Sequence, residues 1–209
     1  MCIPSGTTRC YKPVDVRIGV LALQGNVSEH IEAFLRALKQ IGRENSSAVF
    51  EVRNPDDLSG CNGLAIPGGE STTISRLIDK NNMFEPIRSF SGGIFATCAG
   101  MVLMATHVDD NRIHTLDLID MTVDRNAFGR QRESFEADIP IKGLDGGSFH
   151  AIFIRAPVVT STGAGVSVLS RMDQGIVAVE CDKHLALSFH PELSCDTRLH
   201  ERFLKKLGV

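Results

Sequence analysis

Three residues of this 209-residue chain have the types that nucleophilic acyl transfer requires: Cys98, His190 and Glu192. Cys98 lies in Gly93-Ile94-Phe95-Ala96-Thr97-Cys98-Ala99-Gly100-Met101, where an apolar run enters a small-residue turn. An amphipathic segment is expected to follow, from Met101 to about Thr106. The pattern reads as buried strand, tight corner and helix start, the nucleophile-elbow arrangement with Cys in place of Ser. A side chain at such a corner stands out from the end of a sheet, and the next backbone N–H groups face whatever it attacks. The same stretch also fits a buried structural cysteine. His190 stands in Ser188-Phe189-His190-Pro191-Glu192-Leu193, at the end of an expected strand and just before a proline that stops it. A cysteine nucleophile needs a base near neutral pH, which imidazole supplies, and the imidazole needs a third group to fix its tautomer. Glu192, two residues on, can lie on the same side as the ring in extended geometry.

A glycine loop, Pro67-Gly68-Gly69-Glu70-Ser71, follows a third expected strand. Consecutive glycines let backbone N–H groups approach a ligand closely and stabilise an oxyanion. A plain tight turn would read the same way. Neither the P-loop nor the dinucleotide glycine pattern is present, so nucleotide binding ranks low. A cysteine corner, a His-x-Glu and a glycine loop at three strand ends are harder to explain by chance than any one of them.

The elements that must hold these residues alternate. Residues 17–23 form a near-continuous apolar run, as in a parallel strand covered on both faces. Asn26 is expected to N-cap the next helix, with Glu29 as its capping-box partner. Val27, Ile31, Phe34, Leu35, Leu38 and Ile41 make its apolar stripe, and Gly42 ends it. Strands follow at 48–53 and 63–66, then helical patterns around 74–79 and 83–90. This order predicts an α/β fold: a three-layer, doubly wound, mostly parallel sheet flanked by helices. In such sheets the ligand site lies beyond the carboxyl ends of the strands. After Thr106 a polar loop over 107–112 is expected. Shorter, partly antiparallel strands then follow at 119–123, 134–141, 150–154 and 166–169. A β pair at 176–180 and 185–189 turns at Cys181-Asp182-Lys183, and a helix over about 197–207 closes the chain.

Composition narrows the class. Hydrophobic residues make up 43% and charged residues 22%, ordinary for a soluble globular protein. Net charge is −3 with no basic run, against nucleic-acid binding. No apolar stretch is long enough to span a membrane, and the start lacks the apolar core of a signal peptide. The six cysteines are irregularly spaced without a C-x-x-C pair, which argues for reduced thiols in a cytoplasmic setting. Cys181, His184, His190 and Cys195 lack a zinc-finger spacing, so no metal and no cofactor is expected. Residues 1–16 read as a polar leader, partly disordered, and 17–209 as one domain.

These segments carry a resemblance. The chain is similar to class I, triad-type glutamine amidotransferases and, within them, to the glutaminase subunits of pyridoxal 5′-phosphate synthase. The matching segments, in order, are Gly19-Val20-Leu21-Ala22-Leu23-Gln24-Gly25, Pro67-Gly68-Gly69-Glu70-Ser71-Thr72-Thr73, Thr97-Cys98-Ala99-Gly100, Arg125-Asn126-Ala127-Phe128-Gly129-Arg130-Gln131, Ser134-Phe135-Glu136-Ala137, Phe153-Ile154-Arg155-Ala156-Pro157 and Ser188-Phe189-His190-Pro191-Glu192-Leu193. The resemblance implies that Cys98 attacks the side-chain amide of L-glutamine, that His190 moves the proton, and that Glu192 orients His190. It implies an oxyanion hole from the N–H groups of Gly69 and Ala99. It implies glutamine held by Gly69, Glu70, Ser71, Arg125, Ile154 and Arg155, a role that suits the bidentate guanidinium. Gln24 would sit near the site and the interface with the synthase (lyase) subunit, which receives the ammonia in a heteromeric complex. The alternatives are a cysteine hydrolase or peptidase of the same superfamily, or a catalytically silent interaction subunit. Two departures stand out. Ala96 replaces the family's glycine before Thr-Cys, where a methyl group should crowd the corner, and the approach through Gly92-Gly93 is short.

Overall fold

Short apolar runs build the half of the sheet that carries the site. The structure, a computed structural model, describes residues 16–125, 127 and 134–209. The leader up to residue 15, and Asn126 and residues 128–133 of the R-N-A-F-G-R-Q segment, lie outside the described residues. Strands β1 (Val16–Leu21), β2 (Ser47–Val52), β3 (Gly63–Ile66) and β4 (Gly93–Thr97), with the late strand β12 (His184–Leu187), pair in parallel in the order β2-β1-β3-β4-β12. Every residue of β3 and β4 is buried, as expected for strands covered on both faces.

Beyond β12 the sheet turns antiparallel. β11 (Gly175–Cys181), β9 (Val158–Thr162) and β6 (Ile119–Asp124) follow in that order, each antiparallel to the strand before it. β5 (Ala105–Val108) lies parallel to β6 at the edge, and β10 (Ser167–Met172) pairs with β11 from outside this path. β7 (Ser134–Ile139) and β8 (Phe149–Ile154) form a separate antiparallel pair.

Two apolar clusters cover the two faces. One is built on helix α1 (Val27–Gln40), helix α5 (Arg198–Lys206) and the β7–β8 pair: Phe34, Leu38, Phe149, Phe153, Leu199 and Phe203 pack there with Phe95. The other takes α2 (Ser71–Lys80), α3 (Phe84–Arg88) and α4 (Ala99–Met104), through Ile74, Ile78, Ile87, Met101 and Leu103. The mostly parallel sheet with flanking helices and antiparallel additions in the C-terminal half is the expected fold.

Four local expectations need correction. Asn26 precedes α1 but makes no side-chain cap; its amide is used in the candidate site instead. The segment after Cys98 is not amphipathic, because every residue of α4 is buried. That helix ends at Met104, and the backbone turns extended at Ala105 to enter β5, where the polar loop over 107–112 was expected to begin. β9 was not anticipated, since its burial pattern of two buried, two exposed and one half-buried residues lacks the alternation that marks a strand.

Candidate active site

The corner at Cys98 is held by strain and by packing on both sides. β4 ends at Thr97, and Cys98 then takes φ +48° and ψ −106°, a left-handed value that is costly for a residue with a Cβ. Its N–H is bound by Leu187 O of β12 at 2.8 Å. Two residues on, a Cβ at Gly100 would lie 2.3 Å from Ile66 O, so only glycine lets α4 approach β3 this closely. Ala96 is fully buried within β4, paired with Ile66 and Ala186, and β4 continues past it to Thr97. The thiol is nearly buried and directs its hydrogen to Ile154 O at 3.7 Å.

His190 and Glu192 arrive from the end of β12. Pro191 starts a 3₁₀ turn (Pro191–Leu193), which keeps the two side chains together: His190 Nδ1 lies 2.7 Å from Glu192 Oε1. The ring also flanks the glycine loop, for a Cβ on Gly68 would stand 2.4 Å from His190 Cε1 and 3.1 Å from Cys98 Cβ. Burial lowers the pKa of His190, but its interactions with the Cys98 side chain and with Glu192 outweigh this and raise it to about 10. The ring is therefore a strong base toward the thiol, and its protonated form is favoured once the thiol proton has passed to it. Glu192 is pushed up by burial, yet its basic neighbours His30 and His190 hold it at about 2. Of these two, His190 carries the charge. His30 is fully buried, and burial lowers its pKa below 6.5, so it acts as a neutral dipole.

The remaining expected residues gather around this centre to different degrees. Gln24 lies beside the glycine loop: its Oε1 accepts from Glu70 N–H at 3.1 Å, and a Cβ on Gly69 would stand 2.3 Å from that oxygen. Among the described residues, no hydrogen bond takes up the N–H of Gly69 or of Ala99. Ser71 is buried as the first residue of α2. Glu70 turns its carboxylate to the N-terminus of that helix, accepting from Thr72 and Thr73 through N–H and hydroxyl groups. Burial works against ionisation here, but those bonds hold its pKa at about 2. Arg125 approaches Glu70 Oε1 at 3.5 Å and is paired with Asp110, which also binds Arg112. Ile154 is half-buried with its carbonyl on the Cys98 thiol, and Arg155 follows it, exposed, at φ +43°.

Three polar residues at the centre were not expected from the sequence to belong to the site. Asn26 Nδ2 donates to Glu192 Oε1 at 3.1 Å and lies 3.4 Å from His190 Nδ1. Thr97 Oγ1 accepts the N–H of Gly68 at 3.0 Å, fixing the glycine loop to the end of β4. His30 Nε2 lies 3.1 Å from that same hydroxyl. His30 falls four residues before Phe34 on the buried face of α1, where a histidine carries no sequence signal that separates it from a packed core residue. Among the described residues, no group of three or more His, Cys, Asp and Glu side chains is arranged to hold a metal ion. No described helix is long and apolar enough to cross a membrane.

A strained thiol, a base paired with a buried carboxylate, and two free N–H groups beside them can perform acyl transfer through a covalent thioester. Comparison with known proteins agrees with this chemistry. The sequence profile of the SNO glutamine amidotransferase family matches residues 20–208. The pyridoxal 5′-phosphate synthase subunit PdxT of Methanoregula boonei is 71% identical over 194 residues, covering 93% of this chain and 100% of that protein. The protein of the same name from Shouchella clausii is 48% identical, covering 92% of this chain and 96% of the relative. Among solved structures, a crystal structure of a glutamine amidotransferase superposes with a TM-score of 0.80 at 45% identity, covering 92% of this chain and 99% of that one. The chain belongs to the SNO glutamine amidotransferase family.

Proposed function

We propose that the protein is the glutaminase subunit of a pyridoxal 5′-phosphate synthase, hydrolysing L-glutamine to L-glutamate and ammonia within a single domain over 17–209. The observation that carries this reading is the convergence of Cys98, His190 and Glu192 at the ends of two adjacent parallel strands, against the Gly68–Gly69 loop. The names borne by its relatives support the pathway.

In this reading Cys98 Sγ attacks the side-chain carbonyl carbon of glutamine, and its proton passes to His190. The carbonyl oxygen becomes an oxyanion, received by the N–H groups of Gly69 and Ala99. The His190 imidazolium, oriented by Glu192, gives its proton to the amide nitrogen. The C–N bond breaks and ammonia leaves. Water then attacks the glutamyl-thioester as His190 takes its proton, and glutamate departs as the thiol regains a proton. Glu70, Ser71, Arg125, Ile154 and Arg155 hold the amino-acid end of the substrate. For Arg125 this requires exchanging part of its pairing with Asp110 and Glu70 for the substrate carboxylate. Gln24, on the Glu70 N–H, lies where docking of the synthase subunit is felt by the glycine loop. The ammonia passes to that subunit, and the complex works in the cytoplasm.

The test is ammonia release from glutamine by the protein together with its synthase subunit, and glutamine-dependent formation of pyridoxal phosphate by the pair. Release that disappears in Cys98→Ala is the expected result. No release from the intact complex, or cleavage of peptides in preference to glutamine, would overturn the reading.

A further inference from the structure

Helix α1 enters the site by its first turn. Asn26 and His30 are four positions apart, so their side chains lie over the same spot. That spot is the Glu192 carboxylate. Asn26 Nδ2 bonds Oε1, while His30 Nε2 lies 3.6 Å from Oε2. This distance is just outside hydrogen-bonding range, and Oε2 has no other partner among the described residues. Both side chains are fully buried. An unmatched carboxylate oxygen in such a place is costly, and a donor that closes on it has a correspondingly large effect. Hydrogen bonds at catalytic centres are often long in the free protein and tighten once substrate is bound.

His30 has a second acceptor in reach. Its Nε2 lies 3.1 Å from Thr97 Oγ1, the residue before the nucleophile, and that oxygen also takes the Gly68 N–H. Its Nδ1 meets no partner among the described residues. A proton on Nδ1 would leave a buried N–H unmatched and aim a lone pair from Nε2 at the Glu192 carboxylate. A proton on Nε2 faces two oxygens instead. The groups that face the ring are Glu192 and His190 from the triad, Glu29 from its own helix and His200 from α5.

We propose that His30 is a positioning residue of the triad: its Nε2–H, shared between Thr97 Oγ1 and Glu192 Oε2, holds the nucleophile corner, the glycine loop and the triad carboxylate as one unit. The proposal rests on the glutaminase reading of the site. When His190 accepts the thiol proton, the His30 proton moves toward Oε2 and keeps the carboxylate under the imidazolium, with no net transfer to or from His30.

Two variants and one measurement on the unaltered protein test this. His30→Phe fills the volume without a donor, whereas His30→Gln places an amide N–H near the position of Nε2. In the complete complex with the synthase subunit, His30→Phe should lower kcat about tenfold to a hundredfold with KM within about twofold, and His30→Gln should recover most of the loss. In the absence of glutamine, alkylation of Cys98 by iodoacetamide should shift its midpoint to higher pH in His30→Phe and not in His30→Gln. Nitrogen NMR of the unaltered protein should find His30 neutral with its proton on Nε2. That measurement needs no variant and decides even where His30→Phe does not fold. Wild-type kcat in His30→Phe, an equal fall in both variants that tracks Tm, or a proton on Nδ1 would overturn the proposal. If the unaltered complex hydrolyses no glutamine, the glutaminase reading fails instead, while the tautomer and the alkylation midpoint still decide the role of His30.

Discussion

The parallel half of the sheet, β2-β1-β3-β4-β12, and the antiparallel half beyond it have different work. The first brings Gln24, the Gly68–Gly69 loop, Cys98 and the His190–Glu192 pair to the ends of neighbouring strands. Its central strands β3 and β4 are short and buried on both faces, so small shifts there are transmitted to the groups at their ends. The second half brings Arg125 to the end of β6, while the separate β7–β8 pair supplies the Ile154 carbonyl and, next to it, Arg155. The Cys98, His190 and Glu192 side chains thus come from the parallel half and the two arginines from outside it, and substitutions should separate the two groups.

The largest effect should come from the nucleophile. Cys98→Ala is expected to lower ammonia release by at least about 10⁴-fold, with Tm within a few degrees of the parent. Cys98→Gly should be equally inactive yet more stable than Cys98→Ala by about 1 kcal/mol, because glycine relieves the strain at φ +48°. Denaturant titration reads the difference. In the core beneath the site, Phe95→Ala removes a fully buried ring packed on Phe34 and Phe203 and should cost about 3–5 kcal/mol. Val168→Ala, half-buried on β10, should cost about 1 kcal/mol or less.

A pH experiment probes the same core. Burial, with nearby His30 adding to it, lowers the pKa of His200 to about 3. Below pH 6.5 the unfolded chain binds a proton there, and the native chain does not until about pH 3. Stability is therefore lost as pH falls through that window and is unaffected by this group above it. Relative to His200→Phe, the parent should lose up to about 4 kcal/mol between pH 6.5 and 3, measured by urea unfolding across that range. A constant difference would show that His200 does not stay neutral in the fold.

Glycines offer the sharpest contrast between the halves. Gly68→Ala places a methyl group against His190 and Cys98 and should lower kcat/KM about a hundredfold with a small change in Tm. Gly147→Ala, at φ +86° between β7 and β8 with nothing within 4 Å, should do the reverse: lose about 1 kcal/mol of stability and keep full activity. Glu70→Gln weakens the cap of α2 by about 1 kcal/mol and should raise KM more than it lowers kcat.

The same division explains what could be read from the sequence. Residues 63–66 and 93–97 are continuous apolar runs closed by glycine or small-residue turns, so their type, extent and placement were legible. Cys98, His190, Glu192 and the Gly68–Gly69 loop were found because each sits at the end of such a run. β5 and β9 were not, because Thr106-His107 and Thr160-Ser161 interrupt any clean alternation. Asn26 misled for a physical reason. A polar residue before an apolar stripe predicts a cap, and only the folded chain shows the Glu192 carboxylate competing for its amide. Thr97 and His30 stayed silent because a hydroxyl in a strand and a histidine in a helix have no local pattern. Their partners lie on elements distant in sequence.

The contact between Gly25 and Gly68 bears on how such a site can be altered. A Cβ at Gly25 would lie 1.9 Å from Gly68 O, and Gly25 holds φ +104°. Positions 24–25 and 68–69 therefore form one sterically locked pair of loops, although more than forty residues separate them in the chain. A library that diversifies either loop alone would sample mostly collisions. New acyl-transfer specificities on this scaffold would have to be sought by varying both loops together, with the backbone rather than the side chains as the quantity being designed.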